Sequence, residues 1–449
     1  MARMQFGTTA FERARGDLPE LPVINMFAEE APTEETGIAL QSRPPLVDRA
    51  ASMGSGPAEA LFQRDGVQSG ALFGLSGGAI YRDTTSLGAV DGTGPGSIAG
   101  NEIGVVATMG GAARYYNGTT LADIAFPDSA DVTQVFNGAS RFWLIRADTG
   151  KLYFTPALTA TVDALDFITA ESLPDKLLQG LWLDDAAILF GVDSVEFWPN
   201  TGDPDLPIAP LEGRVFEKGI KATGCAVVIG ATFAWVTDEN QVCLTDPDNV
   251  ISNPGLEEKI EASTECRLFT FLLDGTEMMA LRIDAATYVF NPRSQRWSQF
   301  ASYGEDNWLP RCYAGGVFGD DTGRTLAFTT GHADMAGIFE RRFRAGFPLN
   351  SGGLDIDNIV LRCNVGQTPY LTGEYTDPVV EMRLSWDAGQ TWDEWEPVTL
   401  GEQGQYDVRV MWAGLGMASY PGLLVEFRVS DSVPWRVSDV LVNEQYGSR

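Results

Sequence analysis

The sequence predicts an all-β fold: a β-propeller of about six or seven blades with an additional C-terminal β-sandwich-like module. Three observations predict it. Glycine and proline punctuate the whole chain, the apolar runs are short and rich in β-branched and aromatic residues, and a hairpin-sized unit ending mostly in an aromatic residue recurs from Ala71 to Phe339 before the pattern changes.

With 449 residues the chain is too long for one ordinary domain and long enough for a repeat-built body with a smaller module. A hydrophobic fraction of 44%, with 24 Phe, 12 Tyr and 11 Trp, supplies a packed core and excludes a disordered chain. The 49 Gly and 24 Pro are dispersed rather than pooled, which suits many short strands joined by tight turns and opposes long helices.

The recurring unit starts with a short apolar strand, passes a Gly- or Asp-rich turn and returns as a second strand. It is clearest at Ala71–Tyr81, Ile103–Tyr116, Val132–Phe154, Leu181–Trp198, Ala226–Leu244, Leu268–Phe290 and Tyr313–Phe339. The ends of these units are 35 to 49 residues apart, close to the roughly 40–50 residues of a four-stranded propeller blade. Within them, Phe142–Ile145 and Lys151–Phe154 flank an Asp/Gly turn, and Ala187–Phe190 and Ser194–Trp198 read as a second hairpin. Such sheets bury both faces only by stacking on one another, so a closed ring is the natural arrangement.

From Gly346 to Asn358 the chain becomes turn-rich, and six strand candidates follow: Asn358–Val365, Val379–Trp386, Trp395–Leu400, Tyr406–Trp412, Leu423–Val429 and Trp435–Val442. The expected organisation is an extended N-terminal arm over 1–50, a propeller body over 51–345 and a sandwich-like module over 346–449. Met26 and Phe27 are the arm's candidate anchors on another subunit, because the arm has too little sequence for a core of its own.

Catalytic and metal chemistry finds little support. Cys225, Cys243, Cys266, Cys312 and Cys363 form no CxxC pair and His332 is the single histidine, so no Cys/His metal cluster is expected. The thiols read as small buried hydrophobes. No G-x-S-x-G, Walker A or H-E-x-x-H motif occurs, and the glycines of Gly70–Gly78 lead into a strand rather than a phosphate loop. His332 stands in a loop-like stretch with no nucleophile motif beside it. No catalytic residue, cofactor or metal ligand is expected.

The sharpest local motif is Ser385-Trp386-Asp387-Ala388-Gly389-Gln390-Thr391-Trp392, which matches the Asp-box pattern of sialidases and other propeller proteins. Ser385, Asp387, Gly389, Thr391 and Trp392 are expected to brace a hairpin. A glycosidase would need two positioned carboxylates, or a Tyr nucleophile with an Arg cluster, and no such set stands out among the 61 acids. Arg341, Arg342 and Arg344 are the densest positive charge in the chain and are candidates for an interface with an acidic partner.

A net charge of −30 opposes adhesion to phosphate backbones, although an acidic wall would let a duplex slide past. No run of about 18 apolar residues could span a membrane as a helix. Met1 to Glu20 carries Arg3, Arg13 and Arg15 without the apolar core of a secretory signal, so synthesis in a cytoplasm is expected.

Three stretches resemble the packaged-DNA stabilisation proteins, the tail nozzle or hub proteins of short-tailed bacteriophages. The first is Leu21-Pro22-Val23-Ile24-Asn25-Met26-Phe27-Ala28-Glu29-Glu30 with Gly37–Leu46, where Pro45 stands in place of the family's glycine. The second is Ser194–Trp198 with Thr201-Gly202 and Glu217-Lys218-Gly219-Ile220. The third runs from Val425–Val429 to Val440–Val442. The resemblance implies a non-enzymatic virion tail protein made in the host cytoplasm. It further implies a homo-oligomer, as a hexamer, beneath the portal and the tail adaptor, with fibre, spike or needle proteins as further partners. Genomic DNA would pass through the lumen without sequence-specific binding. The alternatives are a propeller glycosidase or a glycan-binding propeller, both suggested by the Asp-box alone.

Overall fold

The computed structural model describes residues 2–6, 21–126, 131–170, 175–349, 351–373 and 375–444. Met1, Arg13, Arg15 and Glu20, named above, lie outside the described residues. The chain forms two compact units, one of Asp48–Asp284 with Leu309–Ala327, the other of Met1–Val47, Ala285–Trp308 and Phe328–Arg449.

The first unit is a β-propeller. Five four-stranded antiparallel sheets follow one another among the described residues, opening with inner strands Ala58–Phe62, Ser97–Asn101, Val132–Gly138, Leu177–Leu183 and Ala226–Ile229. A sixth blade starts with the hairpin Cys266–Leu273 and Thr276–Ile283. The seventh comprises Cys312–Ala314, Val317–Gly319 and Arg324–Phe328, and Leu46–Ser52, from far upstream, is its outermost strand. Each inner strand touches the next, and Cys312–Ala314 touches Ala58–Phe62, so the seven close a ring.

Stacking explains why the second strands are continuously apolar. Blade 3 shows this in Arg141–Arg146, where Phe142, Trp143, Leu144 and Ile145 are all buried. Successive side chains of a strand point to opposite faces. Phe142 and Leu144 therefore join Val106 and Tyr115 in the core shared with blade 2, whereas Trp143 and Ile145 join Leu189 and Trp198 in the core shared with blade 4. Burial of each Phe, Leu or Ile contributes roughly 1.5–3 kcal/mol.

The expected hairpins are present, with Trp143 opposite Phe154 and Ala187 opposite Trp198. Asp148 at the turn of the first, and Asp184 and Asp185 at the turn that leads into the second, adopt positive φ of 59°, 49° and 59°, a conformation that Asp tolerates better than most residues. One α-helix among the described residues, Pro254–Glu261, was not anticipated. Its start signal is nonetheless present: the Asn253 side chain accepts from the Leu256 N–H, and Pro254 opens the first turn.

The second unit is a β-sandwich. One sheet has the order Met411–Ser419, Gly353–Cys363, Arg436–Val442, Ile38–Ser42, Met26–Glu30. The facing sheet includes Glu396–Thr399, Val379–Ser385, Gly422–Val429, Arg341–Pro348, Val23–Ile24 and Arg296–Phe300. Between them Phe343 stacks on Phe427 at 5.1 Å, and Trp412 and Trp435 pack beside these rings.

Two details differ from the sequence reading. Gly346–Pro348 is the end of a strand rather than a turn, because Arg341–Pro348 pairs throughout with Gly422–Val429 and Pro348 falls at its last position, where a missing N–H is tolerated. The strand expected at Tyr406–Trp412 begins only at Met411 and runs on to Ser419.

Arg43 ties this unit together. Its guanidinium and the Asp334 carboxylate are buried with a bidentate pair at 2.7 and 3.0 Å. The Nε bonds Asn25 Oδ1 at 2.8 Å, the remaining N–H groups reach the Ala301 and Pro44 carbonyls, and the Phe339 ring lies 3.8 Å away. All five donors are satisfied, which is the condition for a buried ion pair to persist. Replacing Arg43 with Ala strands Asp334 in the interior and is expected to destabilise the chain by about 3–5 kcal/mol, read as a lower urea midpoint. An unchanged midpoint contradicts the assignment.

Candidate functional site

The propeller axis is the first place to look for a site, since the inner strands converge there. An inner strand is a sheet edge, with N–H and C=O groups that no ladder pairs. Side chains of neighbouring blades supply the partners. Ser97 Oγ accepts from Val135 N at 2.9 Å, and Gln134 Oε1 accepts from Gly180 N at 2.6 Å. Gln179 Oε1 accepts from Gly224 N and Ala226 N, while its amide donates to Ala226 O at 2.6 Å. The Cys225 thiol donates to Cys266 O at 3.1 Å and the Cys312 thiol to Ala58 O at 3.4 Å. Two spaces remain between the inner strands: one of about 240 Å3, lined by Ser97, Gln134, Gln179 and Cys312 together with Glu59, Arg267 and Arg311, and one of about 410 Å3, lined in part by Phe62, Ser97, Gln134, Phe136, Gly180 and Trp182.

The charges at the axis are also committed. Arg267 pairs with Glu59, and Arg311 reaches Glu59 at 3.3 Å, Glu265 at 3.1 Å and Asp321 at 2.6 Å. Arg282 closes the group on Asp321 at 2.6 Å. Burial disfavours the Arg311 charge, but Glu265, Glu59 and Asp321 outweigh it, and its pKa is raised. Three cations and three anions thus neutralise one another, which suits bracing better than proton transfer.

The sandwich carries a larger open cavity of about 790 Å3, lined in part by Asn25, Tyr303, Glu305, Asp306, Glu340 and Arg342. Among the described residues no group of His, Cys, Asp and Glu is arranged to hold a metal, and no helix is long and apolar enough to cross a membrane.

The three arginines that are adjacent in sequence are not adjacent in function, because strand alternation divides them. Arg341 points inward, fully buried, and donates to the Val433 and Asp431 carbonyls. Burial lowers its pKa to about 10, Asp431 opposes that and Arg43 adds to it. Arg342 and Arg344 point outward to Glu426, with Arg344 at 2.8 Å. Met26 and Phe27, expected to anchor on another subunit, are 0% and 5% exposed, in a strand that pairs with Ile38–Ser42 of the same chain. Burial and the Arg341 charge lower the pKa of His332.

The Asp-box is a closed turn. Asp387 Oδ1 accepts from Ser385 Oγ and Thr391 N at 2.9 and 2.8 Å, Oδ2 accepts from Thr391 Oγ1 at 2.7 Å, and Ser385 Oγ accepts from Gly389 N at 2.8 Å. Trp392 lies against the guanidinium groups of Arg344 and Arg383 at 4.9 and 4.8 Å. The Asp387 carboxylate is used up by the turn and is not aimed at a substrate.

The family model described as bacteriophage P22 Gp10, beta-propeller, matches residues 8–282. No curated protein matches the chain. Solved structures similar to it include BBS1N in complex with ARL6DN, at 11% identity and a TM-score of 0.42, over 64% of this chain and 98% of that one. YCF48 from Cyanidioschyzon merolae is similar at 11% identity and 0.42, over 63% and 98%, and BamB from Moraxella catarrhalis at 12% and 0.33, over 68% and 94%.

Two measurements check the chemistry of these groups. The Thr391 N–H, then its hydroxyl and that of Ser385, hold Asp387 at about 2, below the roughly 3.9 of an unfolded chain. A depressed carboxyl stabilises above the unfolded value and ceases to do so as pH falls through the folded one. The difference in melting temperature between the wild type and Asp387→Ala should therefore be full above about pH 4 and vanish toward pH 2. Burial raises the Cys312 thiol to about 12 and the Cys243 thiol to about 11, so at pH 8 an aromatic disulfide reagent should label these two only after unfolding in urea. Rapid native labelling contradicts the burial.

Proposed function

Because the chain belongs to the bacteriophage P22 Gp10 stabilisation family, and so has a structural role in a phage particle, we propose that it is the tail nozzle or hub of a short-tailed phage. It extends the portal and adaptor channel as a ring of about six copies, helps to retain the packaged genome and conducts it on ejection, without catalysis. The observation that carries this reading is the family match over residues 8–282, which takes in six of the seven inner strands.

The chemistry of the axis supports the same reading. Its polar side chains are spent on the edges of neighbouring blades, so the propeller serves as a stiff body rather than a reaction vessel. A net charge of −30 suits a wall along which DNA slides, since like charges prevent adhesion. Rotationally closed assemblies use a heterologous interface repeated around the axis. Arg342, which lines the open cavity of the sandwich, is the proposed subunit contact there.

Light scattering and native mass measurement of the full-length chain with the adaptor protein of its own phage test this. A closed assembly of about six copies is expected on the adaptor. A chain that stays monomeric with its adaptor present contradicts the proposal.

A further inference from the structure

Two neighbouring loops of the propeller display aliphatic side chains to solvent. Residues 155–166 join the third and fourth strands of blade 3, and residues 200–214 join the same strands of blade 4, so both emerge on one face. Leu158 is 50% exposed, Leu165 84%, Leu206 49% and Leu211 42%. Scattered surface leucines are ordinary, but four on two adjoining loops set this face apart.

These loops are held in place. Arg141 donates to Thr155 O at 3.0 Å and to Pro204 O at 3.3 Å, which fastens one loop to the other. Leu158 N bonds Ser140 O at 3.0 Å, Thr201 N bonds Pro207 O at 3.0 Å and Leu211 N bonds Phe197 O at 2.8 Å. Buried Ile208 anchors the second loop in the core between blades 3 and 4. The leucines are thus presented on a preorganised backbone, which lowers the entropy lost on binding. Leu158 is even held at a φ of 54°, uncommon for a bulky residue.

The rim gives the sign of the partner. The two loops carry Asp163, Asp166, Asp203, Asp205 and Glu212, against the single exposed cation Arg214, and contain no lysine. Nucleic acid is repelled by such a rim. A second copy of the chain fits poorly as well: its net charge is −30, and its clustered Arg344, Arg383 and Arg428 are already engaged by Glu426 and Glu381. Charge complementarity requires a segment that brings Lys or Arg around aliphatic anchors.

We propose that the face formed by loops 155–166 and 200–214 docks a basic, aliphatic-anchored segment of a different protein of the particle. This rests on the reading of the chain as a virion component. The leucines enter apolar pockets of that segment, and the carboxylates set its orientation and on-rate.

A photoreactive residue placed at position 165 of the full-length chain, inside assembled particles, tests this. The expected product joins position 165 to another virion protein, through a stretch bearing Lys or Arg among aliphatic residues. The double variant Leu165→Asp with Leu206→Asp should reduce that protein in purified particles at least about tenfold, a loss equivalent to about 1.4 kcal/mol, while the copy number of this chain stays constant. A product linking two copies of this chain, an acidic partner stretch, or no product in particles that contain the chain overturns the inference alone. Particles lacking the chain altogether overturn the virion reading and this inference with it.

Discussion

A β-sheet that stops at an axis leaves a row of amide and carbonyl groups unpaired, and the rest of this molecule depends on how that edge is satisfied. Here five of the seven inner strands find a partner in a side chain of the preceding blade. Gln134 and Gln179 do this most fully, with three backbone N–H groups and one carbonyl between them, and Ser97, Cys225 and Cys312 add one bond each. These short polar groups let neighbouring inner strands lie side by side without leaving those edge groups unpaired.

Ring closure determines the character of the outer strands in turn. Once inner strands are held side by side, both faces of each second and third strand are covered by neighbouring blades, and alternate residues feed alternate cores. Exposed polarity is then concentrated at turns such as those of Asp148, Asp184 and Asp185. A net charge of −30 on such a body suits contact, alignment and repulsion. The sandwich solves its own burial by a different device, a satisfied Arg43–Asp334 pair at the margin of an aromatic core.

Much of the propeller was legible because its signal is local. Tyr81, Tyr116, Tyr153 and Trp198 mark third strands, whose large rings pack between blades, and so the blade period could be read from aromatic ends. The inner strands were not legible as a device, since Gln134 and Gln179 look like ordinary polar residues until the neighbouring blade is in place. Leu46–Ser52 and Ile38–Ser42 pair with strands hundreds of residues away, and no local pattern announces such a partner. Arg341, Arg342 and Arg344 read as one patch in sequence, yet a two-residue period sends Arg341 to the interior and the others outward. The Asp-box, by contrast, was readable down to its bonds, because every partner lies within a few residues.

The account stands on a wheel of seven stacked blades used as a building block of a particle. A cryo-electron reconstruction of the tail of the phage that encodes this chain tests it most directly. The account predicts several copies arranged around the tail axis, each with seven radial sheets around an axis of its own. Tail density without such wheels, or a lone copy away from the axis, would contradict it.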